Sequence, residues 1–506
     1  MKRAIPMRGK TSSRRSTAAH LAAISFDPES GMPLYRQLYF AIREAILANR
    51  LQPGARLPAT RTLAQDMNLS RNTVVSAYEQ LLAEGYLDGR TGAGSYVSTV
   101  LPEDLLNARQ APAADRVKES PGPSLSARGK RLAALREASG TMPKPFSPGL
   151  PELVAFPFEE WARLLARRWR SPPRSFLVGG DPSGYRPLRE ALAEYLGAAR
   201  AVSCGPDQIL IVSGAQQAVD LAARTLLDPG DEVWMEEPGF GGTRGALIAA
   251  GATLVPVPID VEGISVVQGL RASPAARMAC VSPSHQYPLG VTMTLRRRLE
   301  LMDWAQSADA FILEDDYDSE YRYAGRPLAA MQGLDEDGRI LYIGSFSKVM
   351  FPGLRIGYIV VPEPLIDAFR SVRRLLDSHP SAVPQAALAD FMTDGYLTAH
   401  IRRMRALYAE RQQALLDAIP AGLLDLSPHD SGMHLVGFLP DDCDDIAISR
   451  KAAEAGVIAP PLSSYYRGAS ARRGLLLGYA GVSDAEMRTA SARLTAVLAA
   501  TQGVGL

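Results

Sequence analysis

The sequence predicts a small helical module with a β wing, followed by a large α/β body. Residues 32–100 carry short amphipathic helical patterns, and residues 101–145 have the proline-, alanine-, arginine- and serine-rich composition of a linker. Over residues 146–506 apolar strands alternate with amphipathic helices. Such alternation is typical of a mostly parallel sheet with helices on both faces. From Ile446 the pattern indicates a smaller α+β subdomain.

Charge is unevenly distributed along the chain. The 506 residues carry a net charge of only +1, but residues 1–100 hold thirteen lysines and arginines against seven acidic residues. A basic front on a neutral body favours a nucleic-acid partner for the front alone. The alternative is a flexible basic tail over residues 1–31, which accounts for six of these positive charges.

Cysteine usage and hydropathy bear on location and on metal binding. Cys204, Cys280 and Cys443 lie far apart and match neither a disulfide framework nor a zinc-site spacing, so we expect no metal site and a reducing compartment. The basic N-terminus lacks the apolar core of a signal peptide, and no run of eighteen apolar residues occurs. These features predict a cytoplasmic protein without a membrane span.

The front module has the pattern of three helices and a hairpin. Residues 33–48 form an amphipathic stripe, and Thr60 and Ser70 are each placed to cap a following helix. Two short helices joined by a tight turn are the helix-turn-helix arrangement, in which the second helix reads DNA. Residues 86–87 and 95–97 are able to pair as a wing.

The expected reading helix begins with polar residues that face away from its apolar stripe: Ser70, Arg71, Asn72 and Thr73. Side chains at a helix N-terminus are able to meet phosphates and base edges. The same pattern occurs in purely structural three-helix bundles, so the residues alone leave both interpretations open.

Five motifs, at residues 33–38, 53–58, 61–64, 69–74 and 77–86, resemble the GntR-type winged helix-turn-helix throughout the module. This resemblance implies binding to double-stranded DNA. The residues that it assigns to DNA contact are Arg61, Ser70, Arg71, Asn72 and Thr73, together with Gly92 in a wing tip that lies in the minor groove.

In the body, Lys348 follows Ser345 and Ser347 directly after an apolar strand at residues 340–344, and Arg355 lies seven residues further on. An amine beside hydroxyl and guanidinium groups is able to hold pyridoxal phosphate, because the amine takes the aldehyde and the other groups take the phosphate. A lysine without such neighbours would ordinarily lie on the surface.

Three other segments offer matching groups. A strand ends at Gly214, and Ala215 and Gln216 open a helix whose N-terminal amides favour a phosphate. Asp315 ends an apolar strand, where it is placed to pair with a protonated pyridine nitrogen, and Tyr317 is placed to bond the ring hydroxyl.

Phe240 lies on a turn, where it either stacks on a flat ring or packs in the core. The residues alone do not separate these two interpretations.

In order and spacing these residues resemble the fold-type I aminotransferases over roughly residues 146–500. The resemblance implies pyridoxal 5'-phosphate as cofactor, with Lys348 as the Schiff-base lysine and Asp315 on the pyridine nitrogen. It places Tyr317 on the phenolic oxygen and Phe240 against the ring. It assigns the phosphate to Gly214, Ala215, Gln216, Ser345, Ser347 and Arg355.

Two departures modify this resemblance. The turn at residues 282–290 carries His285-Gln286-Tyr287 before Pro288, where aminotransferases have an Asn-Pro-x-Gly turn. This variant turn, fused behind a GntR module, resembles the MocR/GabR regulators, and it adds His285 to the expected cofactor contacts. The strand at residues 474–479 carries leucine where aminotransferases place an arginine that clamps the substrate carboxylate.

Four arginines are candidates for an effector contact: Arg244, Arg467, Arg472 and Arg473. The alternative is that all four are surface charges. The missing clamp leaves the effector open between a GABA-like amino acid, taurine, a dipeptide and pyridoxal phosphate itself.

The sequence therefore predicts a transcription regulator that senses an amine effector or pyridoxal phosphate through aldimine chemistry at Lys348. The resemblance implies a domain-swapped homodimer that reads two operator half-sites. One alternative is an active aminotransferase with a DNA-binding appendage, and residual transamination stays open in either case. Another is a coenzyme-free DNA-binding scaffold.

Overall fold

The computed structural model describes Leu21 and residues 24–27, 30–90, 94–102, 124–134, 144–324, 328–468 and 472–503. The chain divides into two units, residues 1–124 and 125–506. Most of the predicted basic tail and Gly92 lie outside the described residues. Within the described part of the chain, no helix has the length and apolar character needed to span a bilayer.

In residues 30–90 of the first unit the structure describes the helices α1 (Leu34–Leu47), α2 (Thr60–Asp66) and α3 (Arg71–Ala83). Their apolar stripes meet in one core, as helices with a single apolar face require. The fully buried side chains of this core include Leu38, Ile42, Val74, Ala77 and Leu81.

The start of α3 confirms one of the two predicted caps. The Ser70 hydroxyl accepts a hydrogen bond of 3.1 Å from the Thr73 amide. The cap predicted at Thr60 is wrong, because Ala59 occupies the N-cap position and Thr60 is already the first residue of α2. Between the helices Asn68 adopts a left-handed φ of 53°, which ends α2 and turns the chain into α3.

The predicted wing is a two-stranded hairpin of β1 (Leu87–Arg90) and β2 (Gly94–Val97). The strands are antiparallel, with Leu87 opposite Val97. Both of these side chains are buried in the helical core, which fixes the base of the hairpin against the helices.

The second unit contains an eight-stranded sheet in the order β3-β10-β9-β8-β7-β4-β5-β6. Its strands are β3 (Ile209–Val212), β4 (Glu232–Glu237), β5 (Thr253–Asp260), β6 (Gly263–Ile264), β7 (Met278–Val281), β8 (Phe311–Asp316), β9 (Ile340–Ser345) and β10 (Gly357–Val360).

This sheet is mixed but mostly parallel, as the sequence predicted, because six of its eight strands share one direction. Strands β5, β4, β7, β8 and β9 run parallel, but β10 is antiparallel to both of its neighbours and β6 is antiparallel to β5. The short segment 346–356 joins β9 to β10, and it lacks the length of the crossover that a parallel neighbour requires.

Helices cover both faces of the sheet. The described helices of the second unit are α4 (Ala127–Ala133), α5 (Phe158–Arg170), α6 (Arg174–Val178), α7 (Arg186–Arg200), α8 (Ala215–Leu226), α9 (Gly241–Ala250), α10 (Val266–Ala272), α11 (Leu295–Ser307), α12 (Phe346–Val349), α13 (Ile366–Asp377), α14 (Ala382–Thr393), α15 (Tyr396–Ala418), α16 (Asp445–Glu454) and α17 (Asp484–Gln502). Along β3, Ile209 and Ile211 join one core and Leu210 and Val212 another. Alternate side chains of a strand therefore meet helices on opposite faces.

The C-terminal subdomain pairs β11 (His434–Phe438) with β12 (Gly474–Gly478) in antiparallel register. This pair, α15, α16 and α17 share a core that includes Met404, Leu435 and Leu494. The subdomain thus begins before the predicted start at Ile446. The apolar run of β11 has its partner strand far along the chain, which local periodicity does not reveal.

Replacing Ser70 with alanine is expected to destabilise the start of α3 by about 1 kcal/mol, because the Thr73 amide loses its acceptor. Thr60→Ala is the matched control, and its effect should stay below about 0.5 kcal/mol since the Thr60 side chain makes no cap. Amide hydrogen exchange over residues 71–83 of the full chain measures both. Equal loss of protection in the two variants would contradict the assigned cap.

Candidate functional site

A cavity of about 300 Å³ opens in the second unit where β3, β8 and β9 end. Ends of strands at one edge of an α/β sheet are the usual place for a ligand. The cavity is lined by Pro148, Gly149, Gly214, Ala215, Gln216, Phe240, Ser282, Tyr287, Asp315, Tyr317, Asp318, Ser345, Ser347, Lys348, Pro352, Arg355, Met433 and His434. The structure thus brings together residues from widely separated segments.

Lys348 is presented by α12, directly after β9. The Ser345 hydroxyl accepts a 3.2 Å hydrogen bond from the Ser347 amide and so caps this short helix. Lys348 Nζ donates to the Gly149 carbonyl at 2.9 Å. Burial lowers the pKa of Lys348, against the opposing effect of the Asp318 and Asp315 carboxylates. A lowered pKa increases the fraction of neutral amine, which is the nucleophilic form.

The opposite end of the cavity suits an anion. Helix α8 begins at Ala215, directly after Gly214, which has a φ of 125°. A side-chain carbon at Gly214 would lie 3.4 Å from Arg355 Nη2, so the guanidinium lies close to this helix N-terminus. Arg355 itself adopts a left-handed φ of 54°. Non-glycine residues held in this region cost energy and concentrate at functional sites.

Asp315 provides a buried acceptor. Its Oδ1 atom is buried and has no hydrogen-bond partner among the described residues. Burial, followed by the Asp316 and Asp318 carboxylates, raises the pKa of Asp315 to about 7, while Lys348 lowers it. An unpaired buried acceptor is costly. A protonated pyridine nitrogen would donate a hydrogen bond to this oxygen, so Asp315 fits a pyridoxal ring.

Tyr317 lines the cavity, whereas His285 lies behind it. The distance between the Tyr317 hydroxyl and His285 Nδ1 is 3.0 Å. His285 is only 2% exposed and is not among the lining residues. Tyr317 therefore lies between His285 and the cavity, and His285 does not reach the cavity directly in the way that the sequence had predicted.

Phe240 lies at the N-cap position of α9 and is 40% exposed. Its ring meets that of Tyr287 edge to face, with centroids 5.6 Å apart. An exposed ring that lines the cavity favours stacking on a ligand over the core-packing alternative.

Sequence reasoning missed several lining residues, among them Tyr287, Asp318, Met433 and His434. Tyr287 and Asp318 lie within segments that the sequence had already singled out, so their proximity to those motifs was an available signal. Met433 and His434 arrive with β11, and no local pattern marks them.

The four candidate effector arginines do not line the cavity. Arg244 donates to the Tyr465 carbonyl at 2.9 Å, and Arg467 is exposed. Arg473 lies 3.5 Å from the Asp445 carboxylate. Arg472 packs on the face of Phe438, with 3.7 Å from its guanidinium carbon to the ring centroid. Arg472 and Arg473 thus contact residues of the C-terminal subdomain and not the cavity.

In the first unit, Arg61, Ser70, Arg71 and Asn72 are exposed and Thr73 is half-buried. The last four are consecutive at the start of α3, and Arg61 lies in the first turn of α2. The structure therefore leaves these polar groups accessible at the helix-turn-helix. The predicted contact at Gly92 lies outside the described residues.

Comparisons with known proteins agree with this division. The family Aminotransferase class I and II matches residues 152–494, and the family of bacterial regulatory proteins, gntR family, matches residues 34–97. The probable rhizopine catabolism regulatory protein MocR of Rhizobium meliloti is 45% identical over 95% of this chain and 96% of its own length. The chain belongs to the MocR-type regulators.

Other relatives of this MocR-type chain are also regulators. TauR of Rhodobacter capsulatus is 32% identical over 92% of this chain and 96% of its own. The pyridoxine biosynthesis regulator PdxR of Corynebacterium glutamicum is 30% identical over 93% of this chain and 97% of its own.

Solved structures confirm the predicted fold class of the body. Pyrococcus horikoshii kynurenine aminotransferase has a TM-score of 0.65 and 27% identity, over 78% of this chain and 98% of its own. LysN, the α-aminoadipate aminotransferase of Thermus thermophilus, has a TM-score of 0.66 and 26% identity, over 75% and 96%. The MocR-type chain thus joins a GntR helix-turn-helix to a body of the pyridoxal phosphate-dependent aminotransferase family.

Replacing Asp315 with asparagine is expected to stabilise the ligand-free protein above about pH 7, by on the order of 2 kcal/mol. The pKa of this carboxyl is raised from 3.8 to about 7 in the folded protein, so its ionisation opposes folding. The penalty grows as pH rises from about 4 to 7, and it vanishes below that window because the carboxyl is then protonated in both states.

Urea denaturation across this pH range measures the difference. Asp316→Asn is the matched control. It breaks the buried 2.8 Å ion pair with Arg200 and should destabilise the protein at neutral pH. A stability difference for Asp315→Asn that does not change with pH would contradict the assigned ionisation.

Proposed function

We propose that this MocR-type chain is a transcription regulator that holds pyridoxal 5'-phosphate at Lys348 and responds to a small amine. The observation that carries the proposal is the meeting of Lys348, Asp315 and Arg355 in one cavity of a chain that also bears a GntR module. An amine, a ring-nitrogen partner and a phosphate ligand are the three groups that this coenzyme needs.

Different residues of the cavity would contact different parts of the coenzyme. When bound, pyridoxal phosphate supplies an aldehyde that bonds covalently to amines and a ring that accepts electrons. Lys348 presents a partly neutral amine, and the unpaired oxygen of Asp315 accepts the ring-nitrogen proton. Phe240 packs beside the ring. The phosphate is held by Gly214, Ala215, Gln216, Ser345, Ser347 and Arg355.

In this proposal the response to the effector starts at Lys348, whose amine either donates to a protein carbonyl or is bonded to the coenzyme. Lys348 Nζ donates to the Gly149 carbonyl. A lysine bonded within the cavity leaves that carbonyl without its donor. An amine effector that competes for the same bond shifts Lys348 between the two positions, and any conformation that prefers one of them is thereby favoured.

The same site and the relatives guide the choice of effector and target genes to test. We propose an amine or pyridoxal phosphate as effector, since the cavity is built around an amine-reactive group. The 45% identical relative is named for rhizopine catabolism, which makes genes of that kind the first operators to test.

The assembly that we propose is a homodimer on two half-sites. Large apolar side chains are exposed on the second unit at Leu177, Val178 and Leu375, with 63%, 72% and 87% of their surfaces accessible. Exposed apolar groups of this kind mark association surfaces when they are contiguous. Segment 174–180 approaches the end of α13, since a side-chain carbon at Gly180 would lie 3.1 Å from His379.

Lys348→Ala is expected to abolish the visible absorption band that the wild-type protein develops with pyridoxal phosphate, because the band requires the lysine bond. Lys451→Ala removes an exposed lysine on α16 and should leave the band unchanged. Absorption spectra of the three purified proteins, titrated with the coenzyme, measure this. A wild-type protein without a band, or an unchanged band in Lys348→Ala, would refute the coenzyme site.

Arg71→Ala is expected to weaken operator binding by about 1–3 kcal/mol, because Arg71 is exposed at the start of the reading helix. Arg36→Ala removes an equally exposed charge from α1 and serves as the control. Gel shifts with the DNA upstream of the gene, at two salt concentrations, measure both variants. Equal losses would show that only net charge matters and would overturn the assigned contact.

The second candidate function is an aminotransferase, which the retention of Lys348, Asp315, Tyr317 and Arg355 in one cavity favours. Turnover with an amino donor and a keto-acid acceptor separates the two functions when it is measured beside the gel shift. Rapid turnover without DNA binding would establish the enzyme and exclude the regulator.

A further inference from the structure

His285 occupies an enclosed space that is shaped around its ring. It is 2% exposed and follows β7 in the turn at residues 282–290. A side-chain carbon at Gly432 would lie 2.2 Å from His285 Cε1, and one at Gly290 would lie 3.0 Å from His285 Nε2. Both glycines have positive φ angles, of 104° and 73°. The surrounding backbone therefore holds the imidazole in one orientation.

The contacts of the ring define its tautomer. His285 Nδ1 lies 3.1 Å from Asp318 Oδ2 and 3.0 Å from the Tyr317 hydroxyl. An ionised carboxylate only accepts hydrogen bonds, so Nδ1 carries the proton and shares it between the two oxygens. Nε2 is buried without a partner among the described residues. In this tautomer it carries only a lone pair, and no buried N–H is left without an acceptor.

Two other histidines and one carboxylate surround the ring of His285. The rings of His429 and His434 have their centroids 5.9 and 5.4 Å from that of His285. Burial lowers the pKa of His429 to about 4 and that of His434 to about 3, so both are neutral. Asp318 is the carboxylate in contact with the ring.

On the cavity side of Tyr317, the titratable lining groups besides Asp318 are Lys348, Asp315, Arg355, Tyr287 and His434. Burial, followed by the Asp318 charge, raises the pKa of Tyr317 well above its ordinary value. Its hydroxyl therefore stays protonated. Because the Tyr317 oxygen accepts from His285 Nδ1, its own proton has to point away from the histidine.

We propose that His285 is a positioning residue that turns the hydroxyl proton of Tyr317 into the cavity, toward the phenolic oxygen of a bound pyridoxal group. The inference rests on the proposed function, since it assigns a role toward the coenzyme. Aminotransferases have an asparagine turn in this part of the sequence, whereas here the histidine acts through the tyrosine. The chemistry delivered to the ring is a single oriented O–H donor.

Two substitutions separate orientation from space filling. His285→Phe keeps a ring in the enclosed space but has no donor, and His285→Asn loses the ring but keeps an N–H close to the position of Nδ1. We expect His285→Phe to raise the pH midpoint of the visible absorption band by about one unit, because the phenolic oxygen loses a directed donor and holds a proton more tightly. His285→Asn should titrate close to wild type.

A double-mutant cycle tests the path through the tyrosine. Tyr317→Phe should raise the midpoint as much as His285→Phe does, and the double variant should show no further shift. His429→Gln changes the same cluster without touching Tyr317, and its midpoint should equal that of the wild type. Additive shifts, or a normal midpoint in His285→Phe with a displaced one in His285→Asn, would reduce His285 to a space-filling residue and overturn the proposal.

The coenzyme-free protein gives an independent readout. Nitrogen-15 chemical shifts of a His285-labelled protein report which ring nitrogen is protonated, and we expect the Nδ1–H form. An Nε2–H form would overturn the proposal even if the His285 variants fail to fold. The absence of a visible band in the wild type would instead refute coenzyme binding, so the two failures are distinguishable.

Discussion

The cavity depends on the antiparallel placement of β10 between β3 and β9. Gly357, at the start of β10, pairs with Val212 on one side and Ser345 on the other. A side-chain carbon at Gly357 would lie 2.9 Å from the Gly214 Cα atom, so only glycine permits this approach. The same junction brings the start of α8, the lysine-bearing α12 and Arg355 to one edge of the sheet. A parallel β10 would have placed Arg355 at the opposite edge of the sheet from the starts of α8 and α12.

Side chains alternate between the two faces of β8, and this explains why only Asp315 of the three acids at residues 314–316 is available to a ligand. Glu314 accepts hydrogen bonds from the Met331 and Gln332 amides at 2.9 Å each, and Asp316 pairs with Arg200 at 2.8 Å. These two side chains share one face, and Asp315 between them faces the cavity. Protein groups satisfy both neighbours and leave an oxygen of Asp315 unpaired. The strand therefore keeps a costly buried carboxyl only where a ligand can compensate it.

Local signals predicted the elements that are built from contiguous residues, and they failed where contacts join distant segments. The strand before Lys348, the Ser70 cap and the helix that opens at Ala215 each depend on a few neighbouring residues, and the structure contains all three. The β10 direction and the engagement of Arg473 with Asp445 depend on connection length and tertiary packing. The Thr60 cap failed for a local reason, because the helix begins one residue earlier than the pattern indicated. His434 reaches the cavity only because β11 pairs with β12.

The site suits regulation because its switch is a contact of the protein itself. Turnover requires stabilisation of a transition state, but regulation requires only that a ligand interact unequally with two states. In the proposed switch, the Lys348 to Gly149 hydrogen bond is lost when the lysine amine bonds to the coenzyme. A difference of about 1–3 kcal/mol, the usual range of allosteric coupling, changes affinity roughly 5- to 150-fold. A single hydrogen bond contributes about 0.5–3 kcal/mol, which overlaps that range. Retention of the coenzyme ligands therefore does not require retention of a catalytic cycle.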